Sequence, residues 1–140
     1  MALPASRMYR TGMAFVFEDL RVYQAAERCL AQAYRVAALL PPVERFNLTE
    51  QLRRAALSVV LNVAEATERR SRGDRDYRLQ IALGSLVEVV ACLRAVAVVG
   101  HHVPDQLIED ARTSYETLYR QLHAYRRSLR RTARMENPDP

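Results

Sequence analysis

Four runs of apolar residues at helical spacing, separated by proline or glycine breaks, constrain this chain more than any other feature. A helix turns about 100° per residue, so apolar side chains recurring every three or four positions line one face that must be covered. The first run, near 18–39, places Val22, Tyr23, Ala26, Cys29, Leu30, Ala33, Val36 and Ala37 on one side. Arg21, Gln24, Arg28, Gln32 and Arg35 take the other, and Glu18 and Asp19 suit the positive end of the helix dipole. Pro41-Pro42 stops this helix, because proline lacks an amide donor and pushes the preceding residue out of helical geometry. The second run, near 48–70, opens on Asn47 with Glu50 three residues on, the pattern of a capping box. It ends at Ser71-Arg72-Gly73-Asp74, where Arg-Gly-Asp reads as a turn with a helix cap rather than an adhesion motif. The third, near 75–99, is closed by Gly100, and the fourth, near 104–132, opens at Pro104. Four helices of similar length on short connections predict an all-α, antiparallel up-down four-helix bundle. Residues 1–14 read as a flexible tail, with Met13 an alternative start to Met1; 15–134 form the bundle and 135–140 a disordered end.

The second helix is unusual. Gln51, Arg54, Ser58, Asn62 and Glu65 fall in one sector roughly 80° wide, and nearly everything else from Gln51 to Glu68 is apolar. The third helix is apolar almost all round from Ile81, with Gly84, Ser85, Glu88 and Arg94 the exceptions. Gly84, Ala91 and Ala95 lie near Glu88 in angle and would admit a close neighbour. The expectation is a buried polar network of Arg54, Asn62, Glu65, Ser85 and Glu88, since a buried charge is costly unless paired. A catalytic carboxylate–arginine site is the competing reading. One apolar stripe per helix suffices for a lone bundle, so Leu57, Leu61, Leu83, Val87, Val90 and Val98 are surplus. Identical surplus faces on every copy predict a closed homo-oligomer.

At 140 residues and 49% hydrophobic, the chain has the size of one domain with a real core. All 21 basic residues are arginine, the net charge is +5 and the pI is about 9.7, which favours acidic partners. The fourth helix carries Arg126, Arg127, Arg130, Arg131 and Arg134 at its end, and Arg69, Arg70, Arg72 and Arg75 cluster at the second turn. These nine are the candidate nucleic-acid-binding residues; a solvated helix face is the plain alternative. With only Tyr119 and Tyr125 interleaved, phosphate contact without base readout is the expected mode.

Enzyme signals are missing. A di-iron bundle needs inward Glu-x-x-His pairs, which His101, His102 and His123 do not form. There is no nucleophile motif, and Cys29 and Cys92 lack metal or redox spacing and read as buried free thiols. The expectation is no enzyme activity, no catalytic or metal-binding residues, no cofactor and no small-molecule substrate. Met1–Ala14 has no signal-peptide core, and Glu88 and Arg94 on different sides of Ile81–Val99 argue against a membrane span. A cytoplasmic protein is the expectation.

Five segments carry a family resemblance: Phe17-Glu18-Asp19-Leu20-Arg21-Val22-Tyr23-Gln24-Ala25-Ala26, Leu40-Pro41-Pro42-Val43-Glu44-Arg45-Phe46, Gln51-Leu52-Arg53-Arg54-Ala55-Ala56-Leu57-Ser58-Val59, Asn62-Val63-Ala64-Glu65, and Ile81-Ala82-Leu83-Gly84-Ser85-Leu86-Val87-Glu88. In these the chain resembles the bacterial four-helix bundle family also called 23S rRNA intervening-sequence proteins. It departs where the family's proline and small residue are Val60 and Leu61, and where its glycine is Ala66. The resemblance implies a cytoplasmic bundle assembling as a pentamer without known catalytic activity. A related branch serves diversity-generating retroelements as an accessory protein, binding a reverse transcriptase and nucleic acid. The function expected is thus a non-enzymatic oligomeric scaffold binding RNA, DNA or a reverse-transcriptase-like protein through its arginines. A pure protein–protein interaction module is the alternative.

Overall fold

A computed structural model describes residues 15–136, and the expected tail 1–14 and last four residues lie outside them. Among the described residues there are four long helices and no strand: α1 Arg21–Ala38, α2 Leu48–Glu68, α3 Arg72–Val99 and α4 Asp105–Glu136. Each packs on its chain neighbours and α1 also packs on α4, which closes an up-down square, the α2–α3 contact being the most extensive. The core runs along the axis through Ala26, Ala33 and Val36 of α1, Leu52, Val59 and Val63 of α2, Leu79, Leu86 and Leu93 of α3, and Tyr115, Leu118 and Leu122 of α4.

Alanine and valine dominate the α1 and α2 faces, so these helices contribute thinner apolar surfaces, while α3 supplies Leu79, Leu83, Leu86 and Leu93 and α4 supplies Tyr115, Leu118 and Leu122. Fully burying one such leucine or valine stabilises by about 1.5–3 kcal/mol relative to exposure.

The helix ends differ from the sequence pattern in ways that have local causes. Val16–Asp19 forms a separate 3₁₀ turn, and extended Leu20 (ψ 123°) breaks it from α1, so Glu18 and Asp19 sit before the helix rather than in it. Phe17 packs edge-on against Tyr23, ring centroids 4.8 Å apart, which ties the turn to α1.

Asn47 caps α2 by position but makes no side-chain cap bond, so the Asn47–Glu50 capping box does not form. Glu44 replaces it, its carboxylate accepting from the Leu48 amide and from Asn47 Nδ2, each at 3.2 Å. At α3, Ser71 Oγ accepts the Asp74 amide at 3.1 Å, which puts Arg-Gly-Asp in the helix's first turn. Gly100 ends α3 at φ 79°, the left-handed conformation that a side chain disfavours. α4 runs on to Glu136, so residues 135 and 136 are helical rather than part of a disordered end.

Candidate nucleic-acid interface

Up-down topology brings the α2–α3 turn and the C-terminal end of α4 to the same end of the bundle, and two ion pairs fasten them. Arg126 Nε donates to Asp76 Oδ1 at 2.7 Å and its Nη2 to Oδ2 at 3.2 Å, a two-pronged grip between α4 and α3. Arg72 of the α3 N-terminus pairs with Glu136 of the α4 end. The two arginine clusters of the sequence are therefore one surface. Hydrogen bonding from Arg126 holds the Asp76 carboxyl below its ordinary range, and Asp76 in turn raises the guanidinium.

The nine candidates divide by occupation. Arg126 is spent on Asp76, Arg72 on Glu136, Arg69 on Glu65 at 3.7 Å, and Arg75 Nε on the Arg69 carbonyl at 2.6 Å. Arg70, Arg127, Arg130, Arg131 and Arg134 are exposed and carry no ion pair among the described residues. Their guanidiniums are available for bidentate anion contact. Of the interleaved tyrosines, Tyr119 is 40% exposed with its ring edge-on to His123 at 4.5 Å, and Tyr125 packs against the core, so open ring surface beside the cluster is sparse.

The expected buried network is corrected. Arg54 is 71% exposed and only loosely paired with Glu50 at 3.9 Å; Glu65 is 48% exposed and pairs with Arg78 at 3.0 Å. Glu88 is exposed as well, and a Cβ added at Gly84 would meet nothing within 4 Å, so no helix of this chain approaches there. What forms is smaller. Ser58 and Ser85 Oγ atoms sit 2.7 Å apart across α2 and α3, and Asn62 Nδ2 donates to the Ser58 carbonyl and hydroxyl. The polar sector lies at the edge of the α2–α3 seam: its small members reach inward and its long charged members lean into solvent.

Leu57 and Leu61 of α2 and Val87 and Val98 of α3 stand exposed, as the surplus argument expects, whereas Leu83 is buried and Val90 half-buried. By length and composition α3 is apolar enough to span a membrane, and 33% of its most apolar 18-residue window is buried in the bundle.

No group of three or more His, Cys, Asp or Glu residues that could hold a metal occurs among the described residues. His101 bonds Glu44 Oε1 at 3.1 Å instead, stapling the α1–α2 and α3–α4 connections at the other end of the bundle. Cys29 and Cys92 are buried free thiols, and burial pushes Cys29 up to about 11.

Sequence reasoning missed one feature. Tyr34 of α1 and Arg45, Phe46, Arg53, Arg54 and Leu57 around the start of α2 line an open cleft of about 440 Å³. The adjacent Arg45-Phe46 and Arg53-Arg54 pairs were its only sequence signal; no spacing rule links them to Tyr34.

A family model described as 23S rRNA-intervening sequence protein matches residues 18–124, from the 3₁₀ turn into α4. The chain belongs to that family. Among solved structures, a protein of unknown function from the S23 ribosomal protein family of Bacteroides thetaiotaomicron VPI-5482 is similar at a TM-score of 0.69 and 19% identity. The match covers 75% of this chain and 97% of that one, which establishes the shared fold. No curated protein matches. The matched segment includes the cleft residues and the Ser58–Ser85 seam but stops short of Arg126, so the arginine end of α4 lies outside it.

Proposed function

We propose that this member of the 23S rRNA-intervening sequence family is a non-enzymatic, cytoplasmic, oligomeric scaffold. It binds RNA, DNA or a nucleic-acid-processing protein such as a reverse transcriptase through the arginine end of the bundle. The observation that carries this reading is the convergence of Arg70, Arg127, Arg130, Arg131 and Arg134 at one end, exposed and free of ion pairs among the described residues, while their neighbours are consumed in holding that end together. Guanidiniums so placed contact phosphates without reading sequence.

Assembly rests on the uncovered α3 face. Val87 and Val98 of α3 and Leu61 of α2 are exposed apolar side chains that a second copy of the chain would cover, and the family resemblance favours a pentamer. That same face favours the second reading, a pure protein-interaction module. The test is a salt titration of binding to single- and double-stranded RNA and DNA. Affinity should fall steeply and linearly in log–log form with salt, and replacing Arg127, Arg130, Arg131 and Arg134 by Gln should flatten the slope. Binding that survives the fourfold replacement would remove this site; no binding to any nucleic acid would leave the interaction module.

A further inference from the structure

We infer that the cleft between α1 and the start of α2 is a nucleotide-binding site, taking a phosphate beside a planar heterocyclic base. It lies at the opposite end of the bundle from the arginine cluster, next to the Glu44–His101 staple.

The chemistry is unlike that of an ordinary solvated surface. Phe46 is 81% exposed, a costly position for an aromatic ring, and Arg45 lies over it with its guanidinium carbon 5.1 Å from the ring centre. Arg53 lies over Tyr34 in the same way at 5.6 Å, and Tyr34 is itself 39% exposed. Cation–π contact holds each guanidinium beside a ring through its charge and consumes none of its N–H donors. Neither Arg45 nor Arg53 has a carboxylate partner among the described residues, and the one acid in the lining, Glu50, is 3.9 Å from Arg54. Three arginines against one glutamate leave an anion-seeking cleft.

Its volume of about 440 Å³ is open to solvent, room for a nucleotide laid against its wall rather than enclosed by it. Open ring surface decides the ligand class. A bare phosphate or an acidic peptide needs the arginines alone, whereas a nucleotide uses both features, its phosphate on the guanidiniums and its base against Phe46, the more exposed of the two rings. Half-exposed Leu57 supplies an apolar wall for the base or sugar. The source of the nucleotide is a free mononucleotide or a unit of a single strand, since bases stacked within a duplex cannot reach the rings.

The experiment uses full-length protein carrying Arg127, Arg130, Arg131 and Arg134→Gln, so that the other end contributes little. Binding of adenosine monophosphate, a short oligothymidylate and inorganic phosphate is measured by calorimetry, in that background alone and with Phe46→Ala or Arg53→Gln added. Both residues are exposed, so circular dichroism should confirm unchanged folding. Nucleotide or oligonucleotide should bind more tightly than phosphate, and Phe46→Ala should weaken it roughly five- to hundred-fold, the range of one lost base stack. Arg53→Gln should weaken all three probes. Comparable affinity for the mononucleotide identifies a free nucleotide as the source, and a strong preference for the oligonucleotide identifies a strand. Affinities unchanged by Phe46→Ala, or equal to that of phosphate, overturn the proposal. Because the background lacks the four arginines that carry the other reading, failure here leaves the arginine-end reading standing, and its failure leaves this one.

Discussion

Asp76 and Arg126, fifty residues apart in sequence, meet through two parallel hydrogen bonds of 2.7 and 3.2 Å and lock the last third of α4 onto the start of α3. Both side chains are less than a quarter exposed, so solvent screens the pair less than a surface bridge.

This pair should give the protein an acid-sensitive latch. The Asp76 carboxyl is depressed in the folded chain, mainly by Arg126, against about 3.9 when unfolded. A depressed carboxyl contributes stability above the unfolded value and loses it as the pH falls through the folded one. Melting temperature should therefore drop below about pH 4 more steeply in the wild type than in Asp76→Asn. At neutral pH the variant should be less stable by about 1–3 kcal/mol. Superimposable acid limbs would show that the latch contributes nothing.

Glu44 rather than Glu50 should guard the start of α2. Hydrogen exchange of the first-turn amides, from Leu48, is expected to quicken in Glu44→Ala and to change little in Glu50→Ala, because only Glu44 accepts the Leu48 amide. The Glu44 carboxyl is held down first by His101 and then by that amide, so the protection is complete above about pH 4.3 and fades as the pH falls through the lower folded value. Equal protection in both variants would refute this assignment.

Tyr115 is fully buried and its hydroxyl has no hydrogen-bond partner among the described residues. Burial raises its pKa, so it stays neutral. Tyr115→Phe should be neutral or stabilising by up to about 1 kcal/mol, since it removes an unsatisfied group without opening a cavity. A loss above about 2 kcal/mol in chemical denaturation would reveal a partner for the hydroxyl.

Charge on the uncovered α2–α3 face should break assembly and spare the fold. Wild-type protein is expected to scatter light as a multiple of 16.0 kDa, and Leu61→Asp with Val87→Asp as a monomer with an unchanged helical spectrum. A monodisperse 16.0 kDa wild type would instead mean that the face serves another partner.

The helices were legible because their signals are local: an apolar period, a proline pair, a glycine at φ 79°. The polar sector of α2 was legible as a line but not as a depth. Apolar residues on both sides of it suggested that Arg54 and Glu65 were enclosed, yet only the arc holding Leu52, Val59 and Val63 faces the core, and Leu57 and Leu61 face out. Periodicity ranks positions around a helix; it cannot tell which of two apolar arcs a chain covers by itself. Nor did the arginine run disclose that Arg126 is committed to Asp76, since a charge fifty residues away leaves no mark in local pattern. Glu65→Ala should accordingly cost less than about 1 kcal/mol, the loss of an exposed pair rather than the stranding of a buried one.

The arginine end of the bundle cannot be switched off by its arginines losing their own charge. Its charge resides wholly on guanidiniums, which stay protonated at any pH a cell experiences, and the chain has no lysine for acetylation to neutralise. Methylation would trim the donors yet keep the charge. An anion held by Arg127, Arg130, Arg131 and Arg134 would therefore leave by competition rather than by deprotonation of its host, through ions that screen the field or a more anionic molecule that takes its place.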